Sequence, residues 1–272
     1  MKFSVLIAVY AKEAPAHLEQ SLESIFRQEL PPDEVVLVED GPLTPALDEV
    51  VARFKEAHTR LHIEKLPQSQ GLGLALKEGL AHCQYEIVAR MDSDDIAMPQ
   101  RFSKEMAWLE THPETDVVGS WTDEFSEASG QVISTRRLPE THEALLRFSR
   151  YRNPMNHPTV MFRKAAVERA GGYRHRELFE DYDLWVRMLQ QGARFHNLQE
   201  SLLRFRLSPQ FYGRRGGWHY ILLETAFQRW MHEVGHISWL RMAGNITVRT
   251  PIRLIPDRWR KYGYLIFLRR QY

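Results

Sequence analysis

With a single cysteine, Cys83, this chain of 272 residues can form no intrachain disulfide. A reducing compartment suits it best. Cys83 itself follows an apolar helical pattern and reads as a small core residue. The roughly 18 consecutive apolar residues that a membrane-spanning helix needs are also missing. The opening MKFSVLIAVYAKEAPA imitates a secretory signal, but its apolar run is short and rich in the strand formers Val5, Ile7 and Val9. A helical pattern follows at once, which argues against a signal. The expectation is a soluble or peripheral protein. Internal repeats and low-complexity stretches are absent, and a hydrophobic content of 43% supports a substantial core rather than disorder.

Acidic residues are scarce in one part only. Residues 201–272 hold 13 Lys+Arg against 3 Asp+Glu, while totals of 36 and 35 leave 23 and 32 for the first 200 residues. A net charge of +1 thus hides an acidic body and a basic tail. Such a tail suits a nucleic acid, a phosphorylated ligand or an anionic membrane face. Nucleic acid ranks last, because no recognisable binding module accompanies the charge. Residues 252–272 interleave arginines with Trp259, Tyr262, Tyr264, Leu265, Ile266, Phe267 and Leu268, a composition that suits a membrane interface. The alternative is a helix pair packed on the body with an exposed basic face.

Periodicity predicts strands at 4–10, 33–40, 61–66 and 86–91, with amphipathic helices at 15–28, 44–57 and 72–83 between them. That alternation implies a mainly parallel sheet with right-handed crossovers and helices on both faces. After it come a helix from Pro99 to Thr111, two strands at 116–125 and 131–138 that read as a hairpin, and a helix at 140–151. A helix at 182–190, a strand at 193–206 and a helix at 219–235 complete the pattern.

The chemistry-bearing stretch is EIVARMDSDD (86–95), a buried strand that delivers Asp92, Ser93, Asp94 and Asp95 at its carboxyl end. Ligands of open α/β sheets gather there. Three carboxylates in four residues repel unless a cation or a solvated turn relieves them, and oxygen ligands suit Mg²⁺ or Mn²⁺ holding a diphosphate. A solvated acidic turn capping the next helix is the other reading. VLVEDGP ends the second strand, QGLGLALKEGL precedes the fourth, and FEDYDLW opens the late helix. The glycines let a backbone come close to a ligand or a neighbouring strand. They match neither a Walker loop nor a dinucleotide fingerprint.

Taken in order, VLVEDGP, QGLGLALKEGL, DSDD and FEDYDLW resemble glycosyltransferase family 2, inverting nucleotide-sugar enzymes of the GT-A fold, over roughly the first 205 residues. VEDGPL, ARMDSDD and the later RRGG look closest to the bacterial enzymes that build O-antigen or exopolysaccharide repeat units. The resemblance implies a GT-A domain over 1–207, with a nucleotide-binding half (1–115) and an acceptor-binding half (116–207), and a basic, aromatic helical extension over 208–272. It puts donor contacts at Ala8, Val9 and Tyr10, at Glu39 and Asp40, at the Gln70 and Gly71 loop, and at Arg90, Asp92 and Ser93. Glu39 stands where the family usually has aspartate, so which of Glu39 and Asp40 reads the base stays open. Asp40-Gly41-Pro42 is equally a turn, and Arg90 can instead pair with an acidic neighbour.

The resemblance further implies that Asp94 ligates Mn²⁺ or Mg²⁺, with Asp92 on ribose or metal and Asp95 in support. Asp181 would be the catalytic base and Glu180 would orient the acceptor. Ordinary capping of a helix starting at Tyr182 is the rival role for Asp181, and Asp183 reads as structural. His157 would touch the acceptor or fill a polar pocket, and Arg214 and Arg215 would hold diphosphate oxygens. The Gln-x-x-Arg-Trp element of processive members is missing, which argues against long-polymer synthesis. The expected reaction moves one sugar from a UDP-linked donor to a polyprenyl-diphosphate-linked saccharide at the inner face of the cytoplasmic membrane. A haloacid-dehalogenase-type phosphotransferase would carry its paired aspartates after the first strand, not the fourth. A nucleotidyltransferase would show a Gly-rich, Arg-containing loop after strand one. A non-catalytic assembly protein that binds nucleotide sugar or membrane is the remaining rival.

Overall fold

The structure, a computed structural model, describes residues 1–207 and 216–255. Its first third follows the expected alternation: β1 (Phe3–Val9), α1 (Pro15–Phe26), β2 (Glu34–Glu39), α2 (Pro45–Ala57), β3 (Leu61–Lys65), α3 (Leu72–His82) and β4 (Ile87–Asp92). Pro15 and Pro45 occupy the first turns of their helices, where a missing N–H leaves no bond unmade. The Thr44 hydroxyl accepts the Leu47 N–H and caps α2.

These four strands pair in parallel in the order β3-β2-β1-β4. Strand alternation then divides the core. Val5, Ile7 and Val9 pack with Leu18, Leu22 and Ile25 of α1, Phe54 of α2, and Phe102 and Met106 of α4 (Arg101–Thr111). Leu6, Val36 and Val38 face the other way, toward Leu76 and Leu80 of α3 and toward Leu184 and Trp185 of α7 (Glu180–Gln190).

Beyond β4 the sheet becomes mixed, with β5 (Ile96–Ala97), β6 (Val117–Ser126), β7 (Val132–Arg136), β8 (Met161–Arg163) and β9 (Phe195–Leu207). β6 and β7 form the expected hairpin. Three-residue β8, too short to show in a period-two pattern, lies antiparallel between β4 and β6. β9 runs parallel to β6, and its far end pairs antiparallel with β5. Because β5 follows β4 almost directly in the chain, the path β4-β8-β6-β9-β5 returns to the loop that leaves β4. Two short helices, α5 (His142–Phe148) and α6 (Lys164–Arg169), fill the connections.

The last described elements are α8 (Gly217–Glu233) and α9 (Trp239–Leu254). Tyr220, Phe227 and Met231 of α8 pack on Phe179, Tyr182 and Val186 at the start of α7. Phe179 and Phe227 stack with ring centroids 4.7 Å apart. The described part of the extension is therefore a helix pair seated on the body. Arg214, Arg215 and the aromatic stretch 256–272 lie outside the described residues. No helix among the described residues is long and apolar enough to cross a membrane.

Candidate active site

Parallel pairing in register brings three strand ends together. Ala8 lies opposite both Val38 of β2 and Asp92 of β4, and Val9 lies opposite Glu39. The chain builds outward from β1 through β2 to β3, then crosses to the other side of β1 for β4. The carboxyl ends of β1 and β4 thus flank the point where strand order reverses, the usual ligand crevice of an open α/β sheet. Exposed Tyr10 stands at its mouth.

At the β2 end the two carboxylates have different partners. Asp40 accepts the backbone N–H of Gln70 at 2.7 Å and of Gly71 at 3.1 Å, and the Ser69 hydroxyl at 2.9 Å. Both of its oxygens therefore hold the loop before α3. Gly41 makes this possible, because at φ +83° a Cβ there would lie 2.6 Å from the Ser69 nitrogen. Glu39 is buried and pairs with Lys65 at 2.9 Å, while its Oε1 has no hydrogen-bond partner. Of the pair, Glu39 keeps acceptor capacity free for a ligand.

The loop after β4 concentrates negative charge. One ligand atom from each of Asp92, Asp94 and Asp95 falls within 4.8 Å of the others. Burial and the neighbouring charges of Asp92 and Glu13 push Asp94 up to about 7. Burial, with Asp94 beside it, also drives Asp95 well above the carboxylate range. Asp95 accepts the Arg206 N–H at 2.9 Å through one oxygen and leaves the other, Oδ2, buried and unpartnered. Three close hard oxygens, an orphaned carboxylate oxygen and mutual repulsion fit a divalent cation. Ser93 is buried and donates to Glu13 at 2.9 Å, so its hydroxyl braces the loop.

Arg90, on the face of β4 that looks toward α7, is almost wholly buried and forms an ion pair with Asp92. Its Nε and Nη1 have no partner. Buried polar groups are nearly always satisfied, so these free donors could hold a ligand oxygen. Arg90 thus pairs with an acidic neighbour and still has donors to offer.

Helix α7 begins at Glu180 rather than Tyr182, with Glu180, Asp181 and Asp183 in a first turn that favours negative charge. Asp181 accepts the Tyr182 N–H at 2.7 Å and the side-chain amide of Asn153. Burial raises Asp181, and these bonds, with Arg136 and Arg90, hold that rise down. Glu180 is pushed up to about 7, first by burial and then by the charge of Asp181. The better-supported anion is Asp181, with two hydrogen bonds to its charged form, and Glu180 titrates near neutrality. The Asp92 charge also acts on Glu180, and Arg90 draws down both members of the pair and Asp94. The acidic loop and the α7 pair thus share one electrostatic neighbourhood around Arg90. Asp183 is buried between Arg187, at 2.7 Å, and Arg176, at 2.9 Å, in the structural role expected of it.

His157 is buried, with its Nε2 3.0 Å from the Tyr173 hydroxyl and its ring edge-on to Trp185. Burial drives its pKa well below the usual histidine range, which keeps the ring neutral. Of the two readings, the structure gives it the filled polar pocket and no open face. Four residues of the site carry no motif signal: Glu13, Asn153, Tyr173 and Arg206. Arg206 donates to the Asp94 carbonyl at 2.8 Å and to Gln20 at 2.7 Å, locking the acidic loop onto the end of β9 and onto α1. Only the β5 to β9 pairing brings it there, 112 positions from Asp94 in the chain.

Residues 4–171 match the family model for glycosyl transferase family 2. The amylovoran biosynthesis glycosyltransferase of Erwinia amylovora is 39% identical over 96% of this chain and 97% of its own length. An Escherichia coli UDP-Gal:alpha-D-GlcNAc-diphosphoundecaprenol beta-1,3-galactosyltransferase is 35% identical over 99% and 97%. Among solved structures, S. aureus TarS in complex with UDP-GlcNAc superposes with a TM-score of 0.68 at 17% identity, covering 99% of this chain and 77% of that one. The mannosyltransferase from Pyrobaculum calidifontis in complex with GDP-Man and Mn²⁺ gives 0.67 at 17%, over 98% and 75%. The two structures share the GT-A fold, and the full-length relatives are named for glycosyl transfer. The strand ends, the acidic loop after β4 and the matched segment therefore agree: this chain belongs to glycosyl transferase family 2.

Proposed function

We propose that this glycosyltransferase moves one hexose from a UDP-linked donor, with inversion, to a hydroxyl of a polyprenyl-diphosphate-linked saccharide in surface polysaccharide synthesis. The observation that carries the reading is the pairing of an acidic cluster built for a cation with a second, hydrogen-bonded carboxylate, Asp181, around the same buried Arg90. The lipid-linked acceptor and the UDP donor are supported by the galactosyltransferase that is similar over nearly its whole length.

Asp94 and Asp92 hold the cation in this reading. Mn²⁺ or Mg²⁺, when bound, neutralises charge developing on the departing nucleoside diphosphate. Glu39 accepts from the base, Ala8, Val9 and Tyr10 line the nucleotide, and Ser93 and the Asp40-held loop at Gln70 and Gly71 shape its seat. Arg90 offers its free donors to donor oxygens, and Arg214 and Arg215 extend that role. Asp181 takes the proton of the acceptor hydroxyl as its oxygen attacks the anomeric carbon opposite the diphosphate. The carbon–oxygen bond to the diphosphate breaks in the same event. Asn153 and the Tyr182 N–H keep Asp181 ionised and aimed. Residues 1–115 serve the donor and 116–207 the acceptor. The cell face is cytoplasmic, at the membrane that holds the acceptor.

The deciding experiment incubates the full chain with a panel of nucleotide sugars, Mn²⁺ and a lipid-diphosphate saccharide acceptor. Transfer from a UDP-hexose, with inverted anomeric configuration in the product, is expected. Transfer only from a non-UDP donor, or with retention, would overturn the finer reading.

A further inference from the structure

Helix α9 is built inside out. Arg249 and Arg253, which a surface helix would ordinarily turn to water, point inward and form ion pairs with the buried Glu224 of α8 at 2.8 and 3.0 Å. Asn245 is buried as well, and donates to Gln228 and to the Arg150 carbonyl. Met242 packs inward with them, but the exposed apolar residues lie away from that side. Leu240, Val248, Pro251, Ile252 and Ile255 recur at three-, four- and eight-residue intervals on the outer face, and Leu240 and Val248 are each 66% exposed. Arg253 lies over the Tyr220 ring at 4.4 Å, which sets the end of α9 beside the start of α8. There Trp218, 69% exposed, and Leu222 are uncovered too. A contiguous exposed apolar face of this kind signals a binding surface.

Charge selects the occupant. Residues 236–272 contain eight Lys+Arg and one acidic residue, Asp257. Two copies meeting through this region would set like charges against each other across a two-fold axis. An anionic lipid surface instead accepts the apolar stripe at the acyl boundary and attracts the five Lys+Arg that follow Ile255 in the chain, while exposed Trp218 and Trp239 suit the headgroup level. We infer that the outer face of α9, with the uncovered start of α8, docks on an anionic membrane. This rests on the lipid-linked acceptor proposed above and specifies the surface that brings the enzyme to it.

Flotation of the full chain with phosphatidylglycerol-rich vesicles, and separately with pure phosphatidylcholine vesicles, tests this without donor or acceptor. Wild type should float with the anionic vesicles and remain behind with the neutral ones. Val248→Glu combined with Ile252→Glu should reduce anionic partitioning at least tenfold, with the melting temperature and nucleotide-sugar binding unchanged. Leu240→Ser combined with Trp218→Ser should give a smaller loss of the same kind. Equal flotation of the Glu variant and wild type would overturn the inference. So would no wild-type flotation, or a dimer in sedimentation that the Glu variant dissolves. Each of these can occur while sugar transfer to a soluble acceptor proceeds, so failure here leaves the proposed reaction standing.

Discussion

At the scale of single residues, the site's logic lies in which carboxylates have partners. Asp181 has two hydrogen bonds to its charged form, whereas Glu180 has the Asp181 charge against it. Asp181→Asn should therefore lower kcat by about 10²–10⁴-fold with donor affinity retained; single-turnover transfer alongside calorimetric donor binding checks this, and undiminished transfer would remove the residue from the mechanism. Asn153 is fixed in its amide orientation because its oxygen accepts the Met155 N–H, which turns the NH₂ toward Asp181. Removing that donor in Asn153→Ala takes away a bond that lowers the Asp181 pKa, so the acid limb of the kcat profile should move to higher pH. An unmoved limb would mean that Asn153 only fills space. Asp94→Ala should weaken donor binding when Mn²⁺ is supplied and leave metal-free binding as it was. Equal loss in both conditions would count against ligation.

Elements position these residues through contacts that a few glycines and one strained residue permit. A Cβ at Gly41 would collide with the Gln68–Ser69 backbone at a φ that L-residues avoid, so Gly41→Ala should destabilise the fold by about 1–3 kcal/mol. Denaturant melts measure that cost. Donor affinity should fall in parallel, because Asp40 would lose its hold on Ser69, Gln70 and Gly71. Leu178, at φ +65°, turns the chain two residues before Glu180. That left-handed turn in a residue other than glycine is backbone strain placed beside Glu180 and Asp181. At this scale β1 to β4 and their helices were legible, because unbroken apolar strands and helical periodicity separate cleanly. β8 and β5 were not, since three and two residues are too short to carry a period. The start of α7 was read two residues late because Asp181, a good capping residue by type, lies inside the helix instead.

For the whole molecule, the concentration of acids at one sheet end makes stability depend on pH and metal. Asp94 and Glu180 rise to about 7 from 3.8 and 4.5. Between those values the folded chain binds more protons than the unfolded one, so stability falls as pH rises. Below about 6.5 an opposing contribution enters, because His157 and His196 are held neutral by burial and charge only on unfolding. Without metal, the melting temperature should climb as pH drops from 8.5 to 7, by roughly 0.5–1 kcal/mol of stability, and level off below about 6 as the histidines offset the acids. Added Mn²⁺ should stabilise most at pH 8.5, where the acids repel fully. Scanning calorimetry with and without Mn²⁺ checks both trends, and a metal effect that grows toward acid would contradict the assigned ligands.

Local chemistry sufficed for much of this protein. Strand and helix alternation, the acidic run at a strand end and the Glu-Asp pair opening a late helix are written in consecutive residues, because short-range sterics and side-chain period fix them. Tertiary structure alone decided what is assembled from distant parts. It engaged both oxygens of Asp40 with a loop and left one oxygen of Glu39 without a partner, closed His157 into a pocket, and brought Arg206 to the acidic loop. It also turned Arg249 and Arg253 of α9 inward and an apolar face outward. A sequence pattern gives the period of a face, but what that face meets is settled only when the rest of the chain packs around it.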